Sequence, residues 1–291
     1  MNGGLWSVVW TRGAGCAELA ELLAKGEPHS VEGDLKQTCI ATRADLLVAR
    51  KLSSFDLVGT VVPHEFRPGS VRSVTAAIGA GPHSTLAAFV AARLSGVLGV
   101  EGSLLSASPD PANDDSVDAV LAEIAVLVPD LPSKVVRADS ARALVGTFEE
   151  GTLLVVGAAG GSWLQRQFFG AGRKLVVGSP GGAVVVRSAP RRVFHQMVEP
   201  DTFGSLMLVS DALRLLTHDS APVAVDGVLV GVVSRGDLES ADPKATVGSV
   251  TRESRFVAPD DPVDLLDRVD ATVWPMPVVD DSGRLVGVVE R

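Results

Sequence analysis

The stretch Pro222-Val223-Ala224-Val225-Asp226-Gly227-Val228-Leu229-Val230-Gly231-Val232-Val233 returns later in the chain as Pro277-Val278-Val279-Asp280-Asp281-Ser282-Gly283-Arg284-Leu285-Val286-Gly287-Val288-Val289. Each copy reads as a strand, a tight turn and a second strand. Asp226-Gly227 and Ser282-Gly283 are the small, turn-tolerant residues a hairpin needs. Ahead of each hairpin lies a short helical pattern, Ser210 to Thr217 and Asp261 to Val269, with Ser210 and Asp260 in capping positions. One such β-α-β-β unit is too small to bury a core alone. The repeat therefore predicts a pseudo-symmetric α+β pair sharing one core over residues 190–291.

Upstream, residues 71–189 alternate short apolar runs with amphipathic ones. Ser73 to Ile78, Ser103 to Ala107, Lys134 to Arg137, Leu153 to Val156 and Ala183 to Val186 read as strands. Leu86, Phe89, Val90, Leu94 and Leu98 share one helical face, with Ser84 placed to cap it, and Ser116 to Val128 is a second helix. Nearly all-apolar strands alternating with helices predict an α/β, Rossmann-like parallel sheet covered on both faces. Polar, Pro-containing joints at His64 to Ser70 and Ser188 to Arg192 bound this region. In residues 1–70, Leu5 to Trp10 and Leu57 to Val62 read as strands and Ala14 to Lys25 as a helix, an α/β pattern.

Composition narrows the partners. Of 291 residues, 46% are hydrophobic and 21% charged, so burial offsets chain entropy and wholesale disorder is excluded. Asp plus Glu number 35 against 26 Lys plus Arg, a formal charge of −9 that disfavours nucleic acid and anionic lipid. The two cysteines, Cys16 and Cys39, are too few for a disulfide framework, and a reducing, cytoplasmic setting is expected. The longest apolar stretch, Leu86 to Ala107, is interrupted by Arg93 and Glu101, so no membrane insertion is expected. Met1 to Gly4 lacks the basic, then apolar, start of a signal peptide.

A glycine-rich segment follows the strand Leu153 to Val156: Gly157, then Gly160, then Gly170, with Arg166, Arg173 and Lys174 nearby. Glycines after a parallel strand let backbone amides approach phosphate oxygens, although a plain strand-to-helix turn has the same look. The spacing resembles the nucleotide signature of the universal stress protein family. The resemblance runs over residues 71–187, through Val74 to Ile78, His83-Ser84 and the closing run Gly181 to Val186. It implies an ATP loop at Gly157, Gly160 and Gly170. Two departures weaken that loop, because Gly79 stands where ATP-binding members carry Asp, and Ala171 where they carry a hydroxyl. Each lost polar partner costs about 1–3 kcal/mol, which implies a retained fold with weakened nucleotide binding. Ala44 to Val48 resembles the fourth-strand entry of the same family, so residues 1–70 read either as a shortened, degenerate copy or as an unrelated α/β region.

The carboxyl-terminal repeat resembles a cystathionine-β-synthase-type (CBS) domain pair, a module that binds adenosine compounds between its repeats. The family's contact pattern is present as Gly231-Val232-Val233-Ser234-Arg235-Gly236-Asp237. The resemblance implies that Ser234 holds ribose or phosphate oxygens and Asp237 the ribose hydroxyls. A helix cap, Ser followed three residues later by an acid, has the same spacing. Repeat two reads Gly287-Val288-Val289-Glu290-Arg291, with Glu290 at the hydroxyl position and the Asp position past the last residue; the second repeat is read as truncated, with one conventional site left.

Little supports catalysis. His29, His64, His83, His195 and His218 are scattered, and no GxSxG elbow or GxxxxGK[ST] loop is present. Asp114-Asp115 and Glu149-Glu150 read as solvated pairs, and Trp6, Trp10, Trp163 and Trp274 as packing residues. The expectation is a non-enzymatic regulator sensing AMP, ADP or ATP through the CBS pair, with no metal. An ATP-binding stress protein with slow hydrolysis, or a cytoplasmic regulatory subunit of a membrane transporter or channel, are the alternatives. A homodimer is expected, joined through Ala183 to Val186 as an exposed sheet edge.

Overall fold

The structure, a computed structural model, describes residues 6–108, 114–138, 141–158, 179–269 and 275–290. The chain forms two compact units, residues 1–189 and 190–291.

In chain order the first unit contains β1 (Val8–Trp10), α1 (Cys16–Leu23), β2 (His29–Ser30), α2 (Leu35–Ala41), β3 (Leu46–Val48), β4 (Gly59–His64), β5 (Ser73–Ala77), α3 (Ser84–Leu98), β6 (Glu101–Ser108), α4 (Asp114–Ala125), β7 (Ser133–Arg137), α5 (Ala141–Val145), β8 (Thr152–Gly157) and β9 (Ala183–Arg187). Among the described residues nine strands form one sheet, ordered β2-β1-β3-β4-β9-β8-β5-β6-β7. Every neighbouring pair is parallel except β4 and β9, which run antiparallel with Val62 opposite Val185. The strands are apolar because both faces are covered. Leu153 and Val155 join the core with α1, α3 and α4, while Leu154 and Val156 face the opposite cluster with Leu144 of α5.

Residues 1–70 and 71–189 thus share one sheet and one core. Trp6, Leu19 and Leu23 pack in the cluster that holds Val74, Leu94 and Val155, and Trp10 lies against it. Trp163 and Trp274 lie outside the described residues. Arg93, the charge that interrupts the apolar run of α3, donates from Nε to the Leu22 carbonyl (2.9 Å) and from Nη2 to the Ala24 carbonyl (3.0 Å). It satisfies carbonyls that the end of α1 leaves unpaired. Among the described residues no helix is long and apolar enough to cross a membrane.

Two expectations are corrected here. The run Ala183 to Val186 is not a sheet edge, because β4 of the same chain pairs with β9 along Thr60 to His64 and occupies its open hydrogen bonds. The argument for a dimer through this strand is thereby removed. Ser84 does not cap α3. It is the first helical residue, and its hydroxyl turns back to accept from the Gly79 N–H (3.1 Å) and donate to the Gly79 carbonyl (2.6 Å).

The second unit contains β10 (Phe203–Gly204), α6 (Val209–Leu215), β11 (Ser220–Val225), β12 (Val228–Ser234), α7 (Arg235–Glu239), β13 (Met276–Val279) and β14 (Leu285–Val289). The two hairpins, β11–β12 and β13–β14, are antiparallel as the repeat predicts. Asp226 (φ 54°) and Gly227 (φ 81°) both take the left-handed conformation that a two-residue hairpin turn requires. The repeats exchange contacts in a two-fold pattern: Val232 pairs with Arg252 as Val288 pairs with Val198, and Leu208 pairs with Thr246 as Arg192 pairs with Pro262.

This exchange also replaces the expected helix caps. Ser210 lies inside α6, whose N-cap is Leu208, and the first amides donate to the segment that follows α7, Val209 N to the Ala245 carbonyl (3.0 Å) and Ser210 N to the Pro243 carbonyl (3.1 Å). In repeat two a 3-10 helix spans Val263–Arg268 behind Pro262, not Asp260, and Val263 N donates to the Arg191 carbonyl (3.1 Å). Backbone carbonyls take the place of side-chain caps, so neither Ser210 nor Asp260 is needed there.

Candidate nucleotide site

The end of β12 runs straight into α7, and Ser234 is the cap between them. Its Oγ accepts from Asp237 N (3.2 Å) and donates to Asp237 Oδ2 (2.6 Å), while Ser234 N donates to the same carboxylate oxygen (3.4 Å). This is a capping box, the reading that spacing alone left open beside ligand contact. The other carboxylate oxygen, Oδ1, accepts from the Arg252 guanidinium. Partial burial alone would raise the Asp237 carboxyl. The Ser234 hydrogen bonds and the Arg252 charge outweigh it and hold Asp237 below the ordinary carboxylate value. The site is thus a fixed carboxylate, 12% exposed, with a cation 74% exposed beside it. A cavity of about 370 Å³ opens next to the pair, lined also by Ser240, Ser249 and Thr251.

Gly231 does not present a donor here. It makes room: a Cβ at this position would lie 2.2 Å from the Arg252 carbonyl oxygen. The segment at Arg252 can pair with Val232 of β12 only because residue 231 has no side chain. Arg252 is the residue that sequence spacing misses. It lies far from Asp237 along the chain, and the one signal for it is the repeat itself, which sets Arg252 in the place that Val198 has in the other copy.

With this geometry in place, the comparison with known families is direct, since the CBS domain family matches residues 196–244, the span that holds Gly231, Ser234 and Asp237. Residues 196–244 are a CBS domain. Among solved structures, the chain is 30% identical to the cytosolic domain of the Mg2+ channel MgtE in complex with ATP, covering 34% of this chain and 45% of that one, TM-score 0.32. It is 24% identical to a CBS domain pair/ACT domain protein from Thermotoga maritima, over 34% of this chain and 88% of that one, TM-score 0.31. It is 28% identical to the CBS domains of a transcriptional regulator from Streptococcus pneumoniae, over 35% and 88%, TM-score 0.29. The match spans less than half the length of the MgtE domain chain. No curated protein matches the chain.

A second cleft, at the end of β14, is chemically different. Glu290 stands at the end of β14 where Ser234 ends β12, and His218 Nε2 lies 3.5 Å from Glu290 Oε1. The cleft there is small, about 60 Å³, and Glu199 and Asp201 line it with Glu290. Three carboxylates and no Arg or Lys line this cleft among the described residues.

Of the glycine loop, only Gly157 is described, as the last residue of β8. Gly160, Gly170, Ala171, Arg166, Arg173 and Lys174 lie outside the described residues. Gly79 follows β5, and the carboxyl ends of β5 and β8 are adjacent. Among the described residues no group of His, Cys, Asp and Glu is placed to hold a metal ion. Both thiols are free and buried, and burial, with Asp34 adding, pushes Cys39 up to about 12, so it stays an inert thiol.

Proposed function

We propose that this protein is a non-catalytic regulator that binds an adenosine nucleotide, AMP, ADP or ATP, beside Ser234 and Asp237 of its CBS pair. The observation that carries this reading is the Asp237 carboxylate, held ionised by Ser234 and paired with an exposed Arg252. A carboxylate accepts from the two vicinal hydroxyls of a ribose, which are donors. The guanidinium, freed from Asp237 as the ribose arrives, is a planar fork suited to phosphate. The match of residues 196–244 to the CBS family supports the same assignment.

In this reading residues 71–189 are a universal-stress-protein-type scaffold. Its strand order, β7-β6-β5-β8-β9, places the switch point of a doubly wound sheet between β5 and β8, where ligands bind in such folds. Gly79 offers no carboxylate there, so ATP at Gly157 is expected to be weak.

Calorimetry on the full chain tests the assignment. Asp237→Ala should weaken nucleotide binding by about 10- to 150-fold, the loss of a hydrogen bond to a charged group. Gly160→Val should leave the affinity nearly unchanged. The opposite pattern, abolition by Gly160→Val and no effect of Asp237→Ala, would move the function to the other unit.

A further inference from the structure

The first unit carries a concave surface that the nucleotide reading leaves unused. It lies at the amino ends of β5, β6, β7 and β8, the end of the sheet opposite Gly79 and Gly157. A groove of about 880 Å³ opens there, a size typical of small-molecule sites.

Hydroxyls, not hydrocarbon, form its floor. Ser73 of β5 and Thr152 of β8 stand opposite one another with oxygens 3.0 Å apart. One step along the same face, Thr75 of β5 and Ser103 of β6 form a second rung, also 3.0 Å. Thr75 and Thr152 are only 5% and 3% exposed. The next positions on this face, Ala77, Leu105 and Val156, are apolar and belong to the core. Each rung consumes one hydroxyl proton and keeps one, with lone pairs to spare, so each can still donate and accept. Such groups, largely withdrawn from bulk water, favour a partner rich in hydroxyls.

The walls add two further constraints. Phe148, on the connection into β8, supplies an aromatic surface. Among the described residues Glu101, Asp130 and Glu149 line the groove against Lys134, so an anionic ligand is repelled and a neutral or cationic one admitted. We propose that this groove binds a carbohydrate that carries no negative charge, a sugar or amino sugar. Its apolar C–H face lies against Phe148, and its hydroxyls exchange hydrogen bonds with the two rungs and the carboxylates.

Saturation-transfer NMR on the full chain, with glucosamine, glucose and glucose 6-phosphate at equal millimolar concentration, tests this. The expected order of binding is glucosamine, then glucose, then glucose 6-phosphate. Thr75→Val with Ser103→Ala should weaken glucosamine about 5- to 10-fold, and Asp237→Ala should leave it unchanged, which separates this groove from the nucleotide site. Glu101 and Glu149 are both exposed. Reversing them, Glu101→Lys with Glu149→Lys, should put glucose 6-phosphate ahead of glucosamine, and this pair decides the matter if the floor variant does not fold. No transfer to any sugar beyond that seen with an unrelated protein, or an order that the charge reversal does not change, would mean that the groove holds water only.

Discussion

At the scale of single residues, Gly231 and Gly236 separate two uses of glycine within one short motif. A methyl at Gly231 would meet the Arg252 carbonyl oxygen at 2.2 Å, and backbone held in a strand pairing cannot yield cheaply. At Gly236, inside α7, the nearest neighbour of a methyl is Ser234 Oγ at 4.0 Å. Gly231→Ala should therefore destabilise by about 1–3 kcal/mol, and Gly236→Ala should be neutral or stabilise by up to about 1 kcal/mol. Urea midpoints of the two variants check the contrast. His83 gives a pH signature of its own. Burial, with the Arg187 charge adding, holds its imidazole below the ordinary value, and its Nδ1 accepts the Ser188 N–H at 3.2 Å, a bond only the neutral ring makes. As pH falls, the unfolded chain takes up this proton before the folded one. Stability should be whole above about pH 6.5 and decline below it. His83→Asn keeps an acceptor without a titration, and should flatten the difference between urea midpoints measured at about pH 5 and pH 7. Ser234 and Asp237 were legible in the sequence because their contact is local, three positions along one helix start. Arg252 and Ser188 were not, since each reaches its partner only through the tertiary fold.

At the scale of elements, the strands that could be read are those whose environment is the same on both faces. β8 over Leu153 to Val156 and β9 over Ala183 to Val186 are apolar because each is buried between two layers. β2 shows no such signal: His29 and Ser30 are both exposed, and only pairing with Val9 and Trp10 makes them a strand. The neighbour of β9 was equally hidden, because an apolar run does not state whether its edge is covered by the same chain or by another. Here β4 covers it, and the segment that carries β4 also brings Leu19, Leu23 and Phe66 into the shared core. A chain beginning at residue 71 would expose both the hydrogen-bonding edge of β9 and the face of α3 that packs on α1. Light scattering should give that shortened chain a mass above one copy. A single-copy mass with a cooperative melt would show that the edge needs no cover.

At the scale of the whole molecule, the two-fold exchange in residues 190–291 builds two equivalent strand ends, at Ser234 and Glu290, and then makes them unequal. Backbone pairing keeps the symmetry, Val232 with Arg252 and Val288 with Val198, and Gly231 and Gly287 each admit the crossing segment. The side chains break it. Where one repeat has Ser234 at its strand end and Arg252 paired beside it, the other has Glu290 and Val198, and Glu199 and Asp201 line the cleft at Glu290. A phosphate brought against three carboxylates meets like charge, which costs several kcal/mol, and among the described residues no Arg or Lys lines this cleft to offset it. Calorimetric titration with AMP or ADP is therefore expected to saturate at one nucleotide per chain. Arg252→Glu should abolish that single event and leave no weaker one behind it, whereas a stoichiometry of two in the unmodified chain would show that the acidic cleft accepts phosphate.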